Sequence, residues 1–385
     1  MSQYGVPNSG PGPIPFQIWD GAAGQAFRTL LSAGGAGRLT ALSADLQMRR
    51  LVMRSVLVLV ALFIVVQGIL RPTGLWVLPK ELLAYGVGIF GFWLVGALLG
   101  ATLTLREVIG YAFFGFFVAP ILTVVIGTPL HKLAGPQLGT GLVVPILEEL
   151  IKLIPALFLV LSMRRDPRGS RVLYDFLLVG FASGAGFAVH EDVLWQRLLI
   201  AEGPLKFVAP WIYNAGTYLT GSHATWSALA ALGIGVIVLF RGRKFTWIIG
   251  LVTFAVGLLE HMAWNYWGSY DFLGLLGAGR IPLAIFYLAW IAAGIHCIIV
   301  RAWGKQRDPL FPAPRLPFAG SIRHWPRQLD YTRLFMQAHS GWMRHRVFGA
   351  KQSPSVATVE RLAIAAVDAK VLHVVAPVPG PPRQD

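Results

Sequence analysis

Three charged side chains stand within five positions of an apolar run, in Glu148-Glu149-Leu150-Ile151-Lys152. A charge placed in hydrocarbon costs roughly 2.5 to 3.5 kcal/mol on insertion scales, so buried ionisable groups in such a run are retained for a reason. Glu148 and Glu149 lie four and three residues before Lys152, and either can pair with the lysine on a helix surface. The two glutamates point about 100° apart, so one can face an interior site while the other holds the lysine. The plain alternative is a buried structural ion pair. Further along come Phe187 and Glu191, then His223 between Ser222 and Thr225, then His261 and Asn265. Phe187 and Glu191, like His261 and Asn265, are spaced i, i+4 and share a helix face.

A carboxylate among these residues can act as general base toward water, tuned by burial and by the lysine. One Glu with two His is also a ligand set for a divalent metal such as zinc, which lowers the pKa of bound water. Asn265 or a neutral His can donate to a tetrahedral oxyanion. Such a set suits amide hydrolysis. The rival reading is an ion- or proton-coupled transporter using the same Glu, His and Lys residues. Glu260 and Asp192 neighbour the candidates but point to other faces. His131, His190 and His296 read as structural or interfacial. Tyr174-Asp175 reads as an interfacial anchor.

The elements that must carry these residues are membrane helices. Of 385 residues, 55% are hydrophobic and only 13% charged, about half the charge of a soluble domain. Apolar runs of spanning length fall near 51–70, 82–103, 108–126, 139–161, 174–195, 215–240, 245–267 and 281–300. The fold expected is an all-α polytopic transmembrane helical bundle of about eight spans with both termini cytoplasmic. Arginine and lysine cluster before the first run, in 163–171, in 241–244 and after the last run. These fall on one side if the count is eight, which sets the orientation. The net charge of +15 is read as topology and contact with lipid headgroups, not as nucleic-acid binding. One cysteine, Cys297, excludes a disulfide framework and a CxxC metal site.

With that orientation Glu148, Glu149, Glu191, His223, His261 and Asn265 come to the outer half of four successive spans. The orientation was fixed from other residues, so their shared depth supports a single site. The run from Gly180 to Gly184, continued by Gly186, is a small-residue pattern for close helix packing. The domains expected are a disordered then amphipathic cytoplasmic segment at 1–48, a transmembrane domain carrying the site at 49–301 and a basic cytoplasmic tail at 302–385. In the tail, 333–348 reads as a segment on the inner leaflet, and 356–375 as an amphipathic helix. No His-Glu-x-x-His motif, Gly-x-Gly-Asp motif or Gly-x-Ser-x-Gly elbow is present.

Glu148-Glu149-Leu150-Ile151-Lys152, Gly186-Phe187-Ala188-Val189-His190-Glu191, His223 and His261-Met262-Ala263-Trp264-Asn265 together resemble the PrsW family of intramembrane proteases. That family is similar to the group of CAAX prenyl endopeptidases and bacteriocin-processing relatives. The resemblance implies an endopeptidase of the cell inner (cytoplasmic) membrane. It would cleave membrane-anchored proteins, such as an anti-sigma factor, near the outer face. Glu149 or Glu148 would be the catalytic carboxylate, the other pairing with Lys152. Glu191, His223 and His261 would hold a metal or the attacking water, and Asn265 would support the intermediate.

Overall fold

The computed structural model describes residues 74–165, 171–195, 212–215, 218–241, 243–265, 280–307 and 325–348. Helix α1 is Gly74–Leu99, and α2 is Leu105–Ala134 with a π turn at Phe114–Val118. A second π turn, Gly139–Val143, leads into α3, Val144–Lys152, and α4 is Ile154–Arg165. Then follow α5 (Leu173–Trp195), the antiparallel strands β1 (Ile212–Ala215) and β2 (Tyr218–Gly221), α6 (His223–Leu239), α7 (Thr246–Asn265), α8 (Arg280–Arg307) and α9 (Trp325–Phe348). Among the described residues, five stretches are long and apolar enough to cross a membrane, lying in α1, α2, α5, α7 and α8.

Of the eight expected spans, 82–103, 108–126, 174–195, 245–267 and 281–300 fall on the five membrane-length helices, while 139–161 and 215–240 fall on shorter elements; the first, 51–70, lies outside the described residues, as do segments 1–48 and 356–375 and both chain ends. Two expectations need correction. The run 139–161 is not one helix: α3 and α4 meet at Leu153. Pro155 has no N–H to offer the Ile151 carbonyl, which interrupts the helix one turn earlier. The run 215–240 is not helical throughout either: among the described residues, one short hairpin interrupts an otherwise helical fold. Its first part is strand β2, and α6 begins only at His223. Ser222 is extended, with φ −103° and ψ 178°, and its hydroxyl accepts from Ala224 N at 3.2 Å as the N-cap.

Helix α5 is the axis of the bundle. Between Leu173 and Val193, 94% of its central window is buried, although its composition would let it face lipid. Its small residues explain this. A Cβ on Gly180 would collide with Ser227 O, one on Gly184 with His223 O, and one on Gly186 with Ala112 O. Helix α6 thus lies against one face of α5 and the π turn region of α2 against another, with backbones at closest approach. A valine at position 184 would press on the backbone that carries His223. Gly184→Val is expected to destabilise by on the order of 2–3 kcal/mol and to impair activity. Thermal unfolding in detergent checks it, and an unchanged midpoint would contradict the close packing.

A buried polar knot closes the other end of α5. The Asp175 carboxylate accepts from Thr102 N (2.6 Å), Thr102 Oγ1 (2.7 Å), Val172 N (2.8 Å) and Leu103 N (3.1 Å). It satisfies the turn between α1 and α2 and the first turn of α5 together. Tyr174 donates to Phe92 O at 3.0 Å and accepts from Trp290 Nε1 at 2.7 Å. Both residues are fully buried, so they are a latch inside the protein and not an anchor at the membrane interface. Helix α9 reaches the same end. Tyr331, Phe335, Met336 and His339 are buried, and Ser340 Oγ donates to Arg171 O at 2.9 Å. This part of the tail therefore packs on α8 and α1 instead of lying on the leaflet surface.

Candidate active site

Helices α3, α5, α6 and α7 bring the expected residues into one buried cluster. Glu149 is its hub. Its Oε1 accepts from Lys152 Nζ at 2.6 Å and lies 2.9 Å from His261 Nδ1, while Oε2 accepts from Ser227 Oγ at 2.9 Å. The i, i+3 spacing on α3 makes the lysine contact, and the other two donors come from α7 and α6. Lys152 also lies 2.7 Å from His223 Nδ1 and 4.5 Å above the Phe187 ring. The lysine is fully enclosed, so its charge is met by Glu149, His223 and an aromatic face.

Glu148 takes the other direction from α3. Its Oε2 lies 3.4 Å from His261 Nε2 and is buried without a hydrogen-bond partner among the described residues. Donor atoms of Glu148, His223 and His261 all lie within 4.8 Å of one another. Glu191 sits at the rim, with Oε2 2.6 Å from His223 Nε2 and a side chain 30% exposed. It is the accessible carboxylate of the set. Asn265 Nδ2 lies 3.4 Å from His261 Nε2, as their i, i+4 spacing requires. Every candidate named from sequence therefore contacts at least one other.

Three further residues complete the cluster. Trp226 stacks on His261 (4.4 Å between centroids, 15° between planes) and meets His223 edge-on at 4.9 Å. Its Nε1 donates to Glu260 Oε2 at 2.8 Å. Glu260 Oε1 accepts from Thr220 Oγ1 and Gly221 N, both at 2.9 Å. Glu260 does point away from the histidines, as its position beside His261 implies, and there it fixes the hairpin and the tryptophan. Ser227 and Trp226 follow His223 by four and three residues, so their shared helix face was a usable signal. Nothing local marked Glu260 as the anchor of a hairpin.

Residues 103–293 match the family model described as PrsW family intramembrane metalloprotease. The chain carries a PrsW-family domain. No curated protein and no solved structure matches the chain. The PrsW region runs from the start of α2 into α8 and contains every residue of the cluster, whereas α1 and α9 lie outside it. The match supports a membrane-embedded protease, a hydrolase. The ion-coupled transporter draws no support from that match.

The PrsW family is described as metallo, and Glu148, His223 and His261 could hold a cation once His223 Nε2 exchanges its contact with Glu191 for it. The orphan oxygen of Glu148 faces the His261 nitrogen not used by Glu149. A carboxylate on the Nδ1 side of a histidine is the arrangement that holds metal-bound imidazoles in place. Glu191 was grouped with the two histidines from sequence; in space Glu148 is the carboxylate of the trio, and Glu191 meets only its His223 edge.

Proposed function

We propose that this protein cleaves membrane-anchored proteins, of the anti-sigma-factor kind, at a peptide bond near the outer face of the inner (cytoplasmic) membrane. The observation that carries the reading is the buried Glu148–His223–His261 trio inside a bundle of membrane-length helices. Glu148, His223 and His261 would hold the cation. A divalent metal supplies a Lewis acid for the scissile carbonyl.

The remaining work falls to the chain's own groups. Glu191, at the rim beside His223, would take a proton from the attacking water. As that oxygen bonds to the carbonyl carbon, Asn265 donates to the developing oxyanion. Glu191 then returns the proton to the leaving nitrogen as the C–N bond breaks. Glu149 and Lys152 touch no reacting atom in this scheme. Glu149 orients His261 and Lys152 orients His223, so they are positioning residues.

The test is a mass-spectrometric survey of new protein N-termini in membranes from cells making either the wild type or the Glu148→Gln/Glu149→Gln double variant. New termini near the outer ends of membrane anchors, seen only with the wild type, are expected. Identical sets of termini, with both proteins present in the membrane, would refute the protease reading for this chain.

A further inference from the structure

The hairpin before His223 has an edge that the described fold leaves open. Strand β2 packs against α8 and α6, and Glu260 ties it to α7, whereas β1 makes broad contact only with β2 among the described residues. The register is Ile212 with Gly221, Tyr213 with Thr220, Asn214 with Leu219 and Ala215 with Tyr218. A two-residue connection closes on a hydrogen-bonded pair, here Ala215 with Tyr218, and such pairs alternate along an antiparallel ladder. Asn214 with Leu219 and Ile212 with Gly221 are then the pairs whose backbone groups point outward. Gly221 N confirms the phase independently, because it bonds Glu260 Oε1 at 2.9 Å and not β1. By the same alternation Ile212 and Asn214 direct N–H and C=O away from β2.

That edge leads to the site. Ile212 lies opposite Gly221, which precedes His223 by two residues and is bound by the neighbour of His261. A peptide bond inside a membrane helix has its carbonyl engaged and its backbone shielded, so it must leave the helix before water can attack. The freed N–H and C=O groups then need partners that hydrocarbon does not offer. Addition of the unwound segment to a strand edge supplies them. We infer that the β1 edge, through the backbone of Ile212 and Asn214, binds the extended segment of a membrane-anchored protein substrate as a third strand and leads its scissile bond to the Glu148–His223–His261 trio.

This inference rests on the protease reading, and its test separates the two. The probes are synthetic single-span peptides copied from substrates recovered by the N-terminal survey, cleaved by purified full-length protein in liposomes. Each backbone amide around the cleavage site is replaced in turn by an ester, which removes one N–H donor. With wild type, penalties at alternate residues are expected, each about three- to tenfold in kcat/KM and carried by KM. Asn214→Pro removes an outward N–H, which an edge strand tolerates, and should weaken cleavage of the parent peptide by a similar factor. Wild-type cleavage with no ester-sensitive position, or with sensitivity lacking the two-residue period, would overturn the strand proposal and leave the protease standing. This scan decides the matter even if the Asn214→Pro protein does not fold. A survey that yields no substrate would remove the protease reading itself, and the strand proposal with it.

Discussion

Glu149→Ala is expected to abolish cleavage and to destabilise the protein together. Three donors from three helices converge on this carboxylate: Lys152 at 2.6 Å, His261 and Ser227 each at 2.9 Å. Removing it strands a fully enclosed ammonium, whose remaining contacts are His223 Nδ1 and the face of Phe187. Breaking a buried pair by deleting one member costs about 3–5 kcal/mol, because the surviving charge stays buried. Activity falls for a second reason: His261 loses the group that fixes its ring. The two effects separate in Glu149→Gln/Lys152→Met, which removes both charges. Its unfolding midpoint should return toward wild type while cleavage stays absent. A double variant that regained activity would reduce Glu149 to a structural role.

The part of this site that sequence made legible was the part governed by spacing within one helix. Three charges in an apolar run, an i, i+3 pair between Glu149 and Lys152, and an i, i+4 pair between His261 and Asn265 all survive as contacts. The small residues of α5 likewise announced a closely packed helix. The choice between Glu148 and Glu149 was not legible. It depends on how α3 is rotated against α6 and α7, which no local pattern encodes. Depth in the membrane grouped Glu191 with the histidines but could not place it laterally, and in space it meets His223 alone among the trio.

The hairpin was hidden for a different reason. Strands of four residues inside an apolar run have no period that distinguishes them from the helix that follows. The Ser222 N-cap marks where α6 begins, but the strand before it is fixed by the tertiary bond from Gly221 N to Glu260. Asp175 misled in the opposite sense. A Tyr-Asp pair at the start of a span resembles an interfacial anchor until the turn at Thr102 and Leu103 is seen folded over it.

Glu148→Gln is expected to separate activity from stability, with the opposite balance to Glu149→Ala. The Glu148 carboxylate is buried, and its Oε2 has no hydrogen-bond partner among the described residues. It faces His261 Nε2 at 3.4 Å. A carboxyl enclosed in this way opposes folding whenever it is ionised; glutamine has the same volume and no charge, and its amide N–H can be aimed at His261 Nε2. The unfolding midpoint of metal-free Glu148→Gln should therefore equal or exceed that of the metal-free wild type. Cleavage should fall by at least about a thousandfold, since loss of one ligand from a three-donor set removes the Lewis acid from the reaction. Metal content by elemental analysis should drop with it. Added divalent cation should raise the midpoint of the wild type and leave that of the variant nearly unchanged, by linkage. The midpoints and the metal content do not depend on knowing the substrate. A Glu148→Gln protein that bound metal as the wild type does would move the carboxylate of the site to Glu191. One that lost as much stability as Glu149→Ala would show Glu148 to be a second strut of the α3 charge cluster, and the orphan oxygen would then need a structural partner in place of a cation.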